Sequence, residues 1–435
     1  MATVNFGRAF NVRRFWNWFP LGMAYASLYM GRYSYIPAKE DFKGGLMGNE
    51  GLGLMTMVGA FVYGVSFLFN GPLTDKFGGR KAMMISTMGS GIINILMGTV
   101  LYLGWTDNFV MKMAILFGFN MYFQSFASVA IVKVNSNWFH ISERGVFGGI
   151  FGILISSGLF LAYTVSPWIM GMFFKGMPQF YFYIPGILLL AMFLVTVFVI
   201  KDTPEDCGFT EFTTGTDTEF DTGEKLPVTQ IVKQILTHPI VLTIAFIELC
   251  TGVLRDGMFG WFGAFSAQSA NPGVRNWLGV GLFLAGASGS MVAGWLSDKL
   301  FNSRRPPVAM FLYGAMIVIL FAAWGVMSFL PSDSSIKPVI MFGVVFLMAF
   351  GVIGTHGVLS GAATADFGGK QATATATGII DGFVYLGVAI QGFSLGKLTA
   401  ISWNYWIPFL IPFAMVGFFL SYRVRNVKPK LKGGH

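Results

Sequence analysis

The chain is poor in charge. Asp, Glu, Lys and Arg make up 11% of its 435 residues, less than half the roughly 25% of a soluble globular domain. So little charge cannot cover a water-facing surface of ordinary polarity. Cysteine is nearly missing: Cys207 lies in a polar stretch and Cys250 in an apolar run, which excludes a disulfide framework. Histidine is sparse too. His140, His238 and His435 fall in loops or at the end of the chain, so no metal cluster is expected. No Ser–His–Asp, HExxH or phosphate-loop spacing is written, so the expectation is of no enzyme, no catalytic residue, no metal and no cofactor. The opening MATVNFGRAFNVRRF lacks a signal-peptide pattern, and the first apolar run is expected to stay as a helix. The net charge is +9, yet no basic cluster sits on a soluble segment, so nucleic acid is not an expected partner.

What the chain has is apolar length. Hydrophobic residues reach 54%, with 46 Phe and a mean hydropathy of +0.64. A roughly 30 Å hydrocarbon layer needs about 20 residues of helix. Twelve runs qualify: about 15–41, 51–70, 82–104, 110–136, 145–174, 180–200, 239–268, 276–296, 307–330, 338–364, 370–400 and 404–424. A barrel would show alternating ten-residue strands instead, so the fold class is an all-α membrane protein of twelve transmembrane helices. Lys and Arg gather on one side, among them Arg8, Arg13, Arg14, Lys76, Arg80, Lys81, Arg144, Lys370 and Arg423. Fewer lie opposite, at Lys39, Lys43, Lys112, Lys175, Arg275, Lys337 and Lys397. The positive-inside rule then puts both termini in the cytoplasm.

Residues 202–225, DTPEDCGFTEFTTGTDTEFDTGEK, carry eight acids against one Lys. They read as a solvated linker between two six-helix units. The division is 1–201, a linker at 202–238, 239–424, and a basic tail at 425–435. The units repeat. Asp75 and Asp298 are separated by the same 223 residues as Gly71 and Gly294, Arg32 and Arg255, Lys133 and His356, and Glu143 and Asp366. Six helices is an even number, so the two copies run parallel around a central cavity, related by an axis along the membrane normal.

That axis sets Arg32 opposite Arg255. A mid-bilayer Arg costs about 2.5–3.5 kcal/mol, and two in one cleft also repel, so a function in substrate contact is expected. The competing structural reading pairs Arg255 with Glu248, seven residues earlier on the same helical face. The guanidinium fork gives bidentate bonds to a phosphate, and two forks match a dianion. Tyr25 and Tyr29 share the helical face of Arg32.

Several stretches together resemble a known family. GPLTDKFGGRK resembles the loop between helices 2 and 3 of the major facilitator superfamily. YASLYMGR, LRDGMFGW, GWLSDKLF, DTPEDCG and TATGIIDGFVYLG are similar, in order, to segments of its organophosphate:inorganic phosphate antiporters. The resemblance implies that Arg32 and Arg255 bind the phosphoryl group and that Tyr25, Tyr29 and Tyr63 line the pocket. It puts Lys133 and Trp138 toward its cytoplasmic mouth; counting along the spans puts His356, a further candidate for substrate contact, near the cytoplasmic ends with Lys133. It further implies an integral, multi-pass protein of a bacterial-type inner membrane, exchanging a sugar or glycerol phosphate for inorganic phosphate by alternating access. A monomer is expected. The chain departs from bacterial glycerol-phosphate antiporters at Phe67 and Ile155, where they carry Lys and His.

The charged turns have their own reading. Asp75 and Asp298 close their helices and can accept from backbone N–H groups at a neighbouring helix start. Arg80, Arg304 and Arg305 are then expected to pair with acids on adjacent loops and to bias a gate. Glu248, Asp256 and Asp381 are intramembrane acids. They leave open a proton-coupled carrier of another organic anion. A transporter-like sugar-phosphate sensor is the third reading.

Overall fold

The computed structural model describes residues 7–42, 45–140, 153–209, 228–301 and 304–426. Within its helices the side chains of 298, 360–374, 376, 377 and several between 228 and 235 lie outside that description. Glu143, Arg144, Lys370, the side chains of Asp298 and Asp366, most of the acidic linker and the end of the basic tail therefore fall outside it.

A backbone in lipid has no water to bond, so it must satisfy its own N–H and C=O groups. The apolar runs accordingly become helices. In chain order these are α1 Arg8–Tyr33, α2 Asn49–Phe77, α3 Gly79–Tyr102, α4 Phe109–Trp138, α5 Ile153–Phe173 and α6 Phe180–Phe198. The second set is α7 Pro239–Ala267, α8 Leu278–Leu300, α9 Pro306–Phe329, α10 Lys337–Leu359, α11 Gly378–Ile401 and α12 Trp406–Arg423. The whole stretch Lys337–Ile401, which holds α10 and α11, is helical. Among the described residues, ten helices are long and apolar enough to cross a membrane. The two long helices outside that set are α1 and α7, of 26 and 29 residues. At 1.5 Å per residue each reaches about 40 Å, so length is not what sets them apart. Polarity is: α1 carries Arg32 among Asn17, Tyr25, Tyr29 and Tyr33, and α7 carries Glu248, Arg255 and Asp256.

Two local breaks shape the site. The expected first span, 15–41, stops as α1 at Tyr33, then resumes as a short turn Tyr35–Ala38 and a 3-10 turn Lys39–Asp41. Pro37 lacks the N–H that would bond the Tyr33 carbonyl, which ends the regular ladder there. Helix α5 carries a π-helical turn at Leu161–Val165. Pro167 follows it and cannot donate to the carbonyl of Tyr163, a common cause of such a bulge.

Glycines set how closely the helices approach. Gly53 of α2 and Gly396 of α11 meet backbone to backbone, and Gly64 faces Gly382 along the same antiparallel seam. Gly279 and Gly286 of α8 lie against Thr164 and Ser156 of α5. Both seams join a helix of the first six to one of the last six. Within the second set, Gly252 of α7 abuts the Val384 carbonyl, and Gly387 of α11 abuts that of Leu249. Lipid tails are as apolar as leucine, so tight packing of small residues replaces the hydrophobic drive here.

One end of the bundle is tied by polar loop contacts. The Arg80 backbone N–H donates to Asp202 Oδ1 at 2.7 Å, at the start of α3. Burial pushes the Asp202 carboxyl above the usual carboxylate range, although that backbone bond pulls the other way. Asn17 Nδ2 donates to the Lys201 carbonyl at 3.1 Å, and the Lys201 N–H returns a bond to Asn17 Oδ1 at 2.8 Å.

Candidate functional site

Arg32 stands in the last turn of α1 and is 1% exposed. Its Nε donates to Gln124 Oε1 of α4 at 2.9 Å, and its Nη2 to the Tyr63 hydroxyl of α2 at 2.9 Å. Its Nη1 donates to the Tyr385 hydroxyl of α11. The guanidinium also lies over the Tyr29 and Tyr63 rings, 4.7 and 4.6 Å from their centroids. Each of these partners is neutral, so hydrogen bonds and ring faces hold the cation in place without cancelling its charge.

Arg255 stands mid-way along α7 and is 6% exposed. Its guanidinium lies 5.1 Å from the Tyr385 ring centroid, against 5.4 Å for Arg32. One tyrosine, from a third helix, therefore bridges the two cations. Arg255 Nε donates to Asp256 Oδ1 at 3.4 Å, a long contact, and Tyr33 donates its hydroxyl to the same oxygen at 3.2 Å. Arg255 Nη2 is buried and has no hydrogen-bond partner. A buried polar donor left unsatisfied costs about 1–3 kcal/mol, more when charged. The site thus holds two guanidiniums, one acid and a spare donor, an arrangement suited to an anion.

Residues further out hold these groups in place. Asn120 Oδ1 accepts from Gln124 Nε2 at 3.2 Å and from Asn94 Nδ2 at 3.0 Å, and Asn120 Nδ2 donates to the Gly31 carbonyl at 3.2 Å. This chain of amides orients Gln124 toward Arg32. Tyr25 packs on Tyr29 at 5.5 Å, and Phe67 on Tyr63 at 4.7 Å. Phe67 and Ile155 are both buried. An aromatic ring therefore stands beside Tyr63. A cavity of about 420 Å³ opens at the Lys39 end of the bundle, lined by Glu40, Asp41, Lys175, Arg275 and Tyr163 among others. The Tyr163 ring lies tilted against that of Tyr33, 5.8 Å between centroids, and Tyr33 reaches Asp256.

Other expected site residues lie elsewhere. Trp138 is fully buried at the opposite end, its Nε1 donating to the Lys201 carbonyl at 3.2 Å and its ring between Phe10 and the Arg13 guanidinium. It packs against the loop layer there. Lys133 Nζ is 2.8 Å from Asp75 Oδ1, so its charge faces a carboxylate. The other Asp75 oxygen accepts from the backbone N–H and the hydroxyl of Thr375, at 3.1 and 2.9 Å, just ahead of α11. Among the described residues the Arg80 guanidinium forms no ion pair with a loop acid; it donates to the carbonyls of Val197 and Thr196 at the end of α6. Arg304 Nε donates to the Phe301 carbonyl at 3.2 Å and Arg305 Nη1 to that of Val358 at 3.4 Å. Asp381 is buried one turn before Tyr385. Glu248 does not pair with Arg255; its Oε2 lies 2.8 Å from Nδ1 of His356 on α10. His356 thereby belongs to a second buried polar cluster and not to the Arg pair. Reading the sequence missed Tyr385, Gln124 and Tyr33. The only signal was a polar residue in mid-run, weak for a tyrosine.

The model of the Major Facilitator Superfamily matches residues 21–392. The chain belongs to that superfamily. Membership makes it an integral, multi-pass membrane transport protein and not an enzyme. Over 412 residues it is 26% identical to "Membrane sensor protein UhpC" of Salmonella typhimurium, spanning 90% of this chain and 86% of that protein. It is 25% identical over 411 residues to a "Probable hexose phosphate transport protein" of Chlamydia pneumoniae, covering 87% and 84%. A "Glycerol-3-phosphate transporter" of Bacillus subtilis is 24% identical over 395 residues, covering 88% and 85%. These similarities agree with the resemblance read from the charged turns and the arginines.

Proposed function

We propose that this protein exchanges an organic phosphate, a sugar or glycerol phosphate, for inorganic phosphate by alternating access. The observation that carries the reading is the pair Arg32 and Arg255 on Tyr385: one cation has only neutral partners in its cage, and the other has a spare, buried N–H. A phosphoryl dianion placed between them would satisfy both. At an effective dielectric of 20, a charge contact at about 4 Å is worth roughly 4 kcal/mol before desolvation. Tyr25, Tyr29, Tyr63 and Tyr385 would line the organic part. The similarity to transport proteins named for hexose phosphate and glycerol phosphate supports the substrate class.

In this reading residues 1–201 and 239–424 are two units that rock about the site, with 202–238 as linker, and both termini lie in the cytoplasm of a monomer in a bacterial-type inner membrane. The Asp75 contacts to Lys133 and Thr375 would close the cytoplasmic side. The test is counterflow: proteoliposomes loaded with inorganic phosphate should take up labelled sugar or glycerol phosphate, and unloaded ones should not. Equal uptake by unloaded vesicles under a pH gradient would replace exchange with proton coupling.

A second reading has a specific basis in the similarity to a protein named as a membrane sensor. A sensor would bind the sugar phosphate in detergent with the same arginines yet show no flux in the same vesicles.

A further inference from the structure

We propose that Glu248 and His356 form a proton-binding site coupled to the anion site, so that binding of a phosphate anion is accompanied by net uptake of protons. The proposal rests on the anion-site reading above. Its basis is a second buried cluster that the Arg pair does not use. Glu248 is fully buried in α7, and His356, 8% exposed, faces it from α10 at 2.8 Å. The other carboxylate oxygen, Oε1, is buried with no hydrogen-bond partner. An ionisable residue inside the membrane is a functional candidate by default, and a half-satisfied buried pair is poor evidence for a purely stabilising role.

The surroundings limit which groups can exchange a proton. On α7 itself the next charged residues are Arg255 and Asp256, the first of them seven residues on. From α11, Asp381 lies within electrostatic range of His356. From α9, the Tyr313 hydroxyl is taken up by the Ile247 carbonyl and Thr251, and Arg305 donates to the Val358 carbonyl. From α8, Ser290 turns to the Ile353 carbonyl. On α10, Thr355 bonds back to Gly351.

The proton count follows from the chemistry. With one proton shared between Nδ1 and Oε2 the pair is neutral overall. A second proton, taken from water on Oε1, makes it a cation. Two helical turns separate it from Arg255, about 10 Å. When an anion neutralises the arginines, the added positive charge meets less repulsion. One unit charge at that distance and a dielectric near 20 changes proton affinity about tenfold, and linkage requires that protonation strengthen anion binding by the same factor. The repeat sharpens the contrast. At the position matching His356 stands Lys133, paired with Asp75. A lysine holds its proton; an imidazole exchanges one near neutral pH.

The experiment uses the full chain in lipid nanodiscs, weakly buffered with a pH-sensitive dye and stepped across neutral pH, where an imidazole exchanges its proton. Phosphate binding is read separately with labelled phosphate. The expected result is a net uptake of up to about half a proton per phosphate bound by the unaltered protein, the most that a tenfold change in proton affinity allows. The double variant Glu248→Gln/His356→Gln, which keeps no titratable group in the pair, should still bind phosphate and take up no more than the phosphate itself carries. Phosphate binding without proton uptake overturns the proposal and leaves the anion site standing. No phosphate binding at all removes both. Undiminished proton uptake by the double variant also overturns it, since the proton would then ride on the phosphate or another group. If the double variant does not fold, each single variant should shift the pH at which uptake is greatest, and an unshifted profile in both overturns the proposal.

Discussion

A tyrosine joins the two cations of the site. Tyr385 gives Arg32 a hydroxyl and offers both guanidiniums its ring. Tyr385→Phe keeps the ring and removes the hydroxyl, so phosphate exchange should weaken by up to about tenfold, in line with a hydrogen bond of about 0.5–1.5 kcal/mol. Tyr385→Ala should lose more, because the ring contacts go too. Initial rates of labelled phosphate exchange check both. Gln124→Leu leaves the Arg32 Nε buried without its acceptor, and a loss of thermal stability worth about 1–3 kcal/mol is expected in detergent melting. Arg32 and Arg255 were legible in the sequence because a charge in an apolar run stands out and the 223-residue offset relates them. Tyr385 was not legible, being far away in sequence from Arg32 and ordinary for a membrane helix. The competing pairing of Glu248 with Arg255 fails for a related reason. Spacing on one helix shows only neighbours on that helix, and the partner that took the carboxylate, His356, comes from another.

At the scale of elements, glycine sets the spacing. A methyl group at Gly252 would overlap the Val384 carbonyl, which belongs to backbone and cannot rotate away. Gly252→Ala should therefore force α7 and α11 apart and cost about 1–3 kcal/mol, the usual range for overpacking. A lowered melting temperature would be its sign. Because Arg255 and Tyr385 ride on those helices, exchange should fall as well. The positions of the helices were readable from apolar length, and α7 began where Pro239 predicts. Their ends were less so. The 15–41 run looked continuous because Pro37 is apolar by composition, yet its missing N–H ends α1 at Tyr33.

At the scale of the whole molecule, one carboxylate links distant parts of the chain. Asp75 of α2 pairs with Lys133 of α4 and accepts two bonds from Thr375, 300 residues away. Asp75→Asn keeps the shape and loses the charge. The expected outcome is a weaker closure at that end, read as faster labelling of a cysteine introduced there. Unchanged labelling would remove Asp75 from the gate. The 223-residue offset in the sequence relates Lys133 to His356 but does not show that the first faces Asp75 and the second Glu248. The account as a whole turns on two guanidiniums acting together on one anion. The most direct measurement is a double-mutant cycle on phosphate affinity with Arg32→Lys, Arg255→Lys and both combined. Removing one partner of a buried charge contact costs about 2–5 kcal/mol, so each single variant should lose roughly 30-fold or more, and the double variant little beyond that. Near-normal affinity in either single variant, or losses that simply add, would contradict a shared grip.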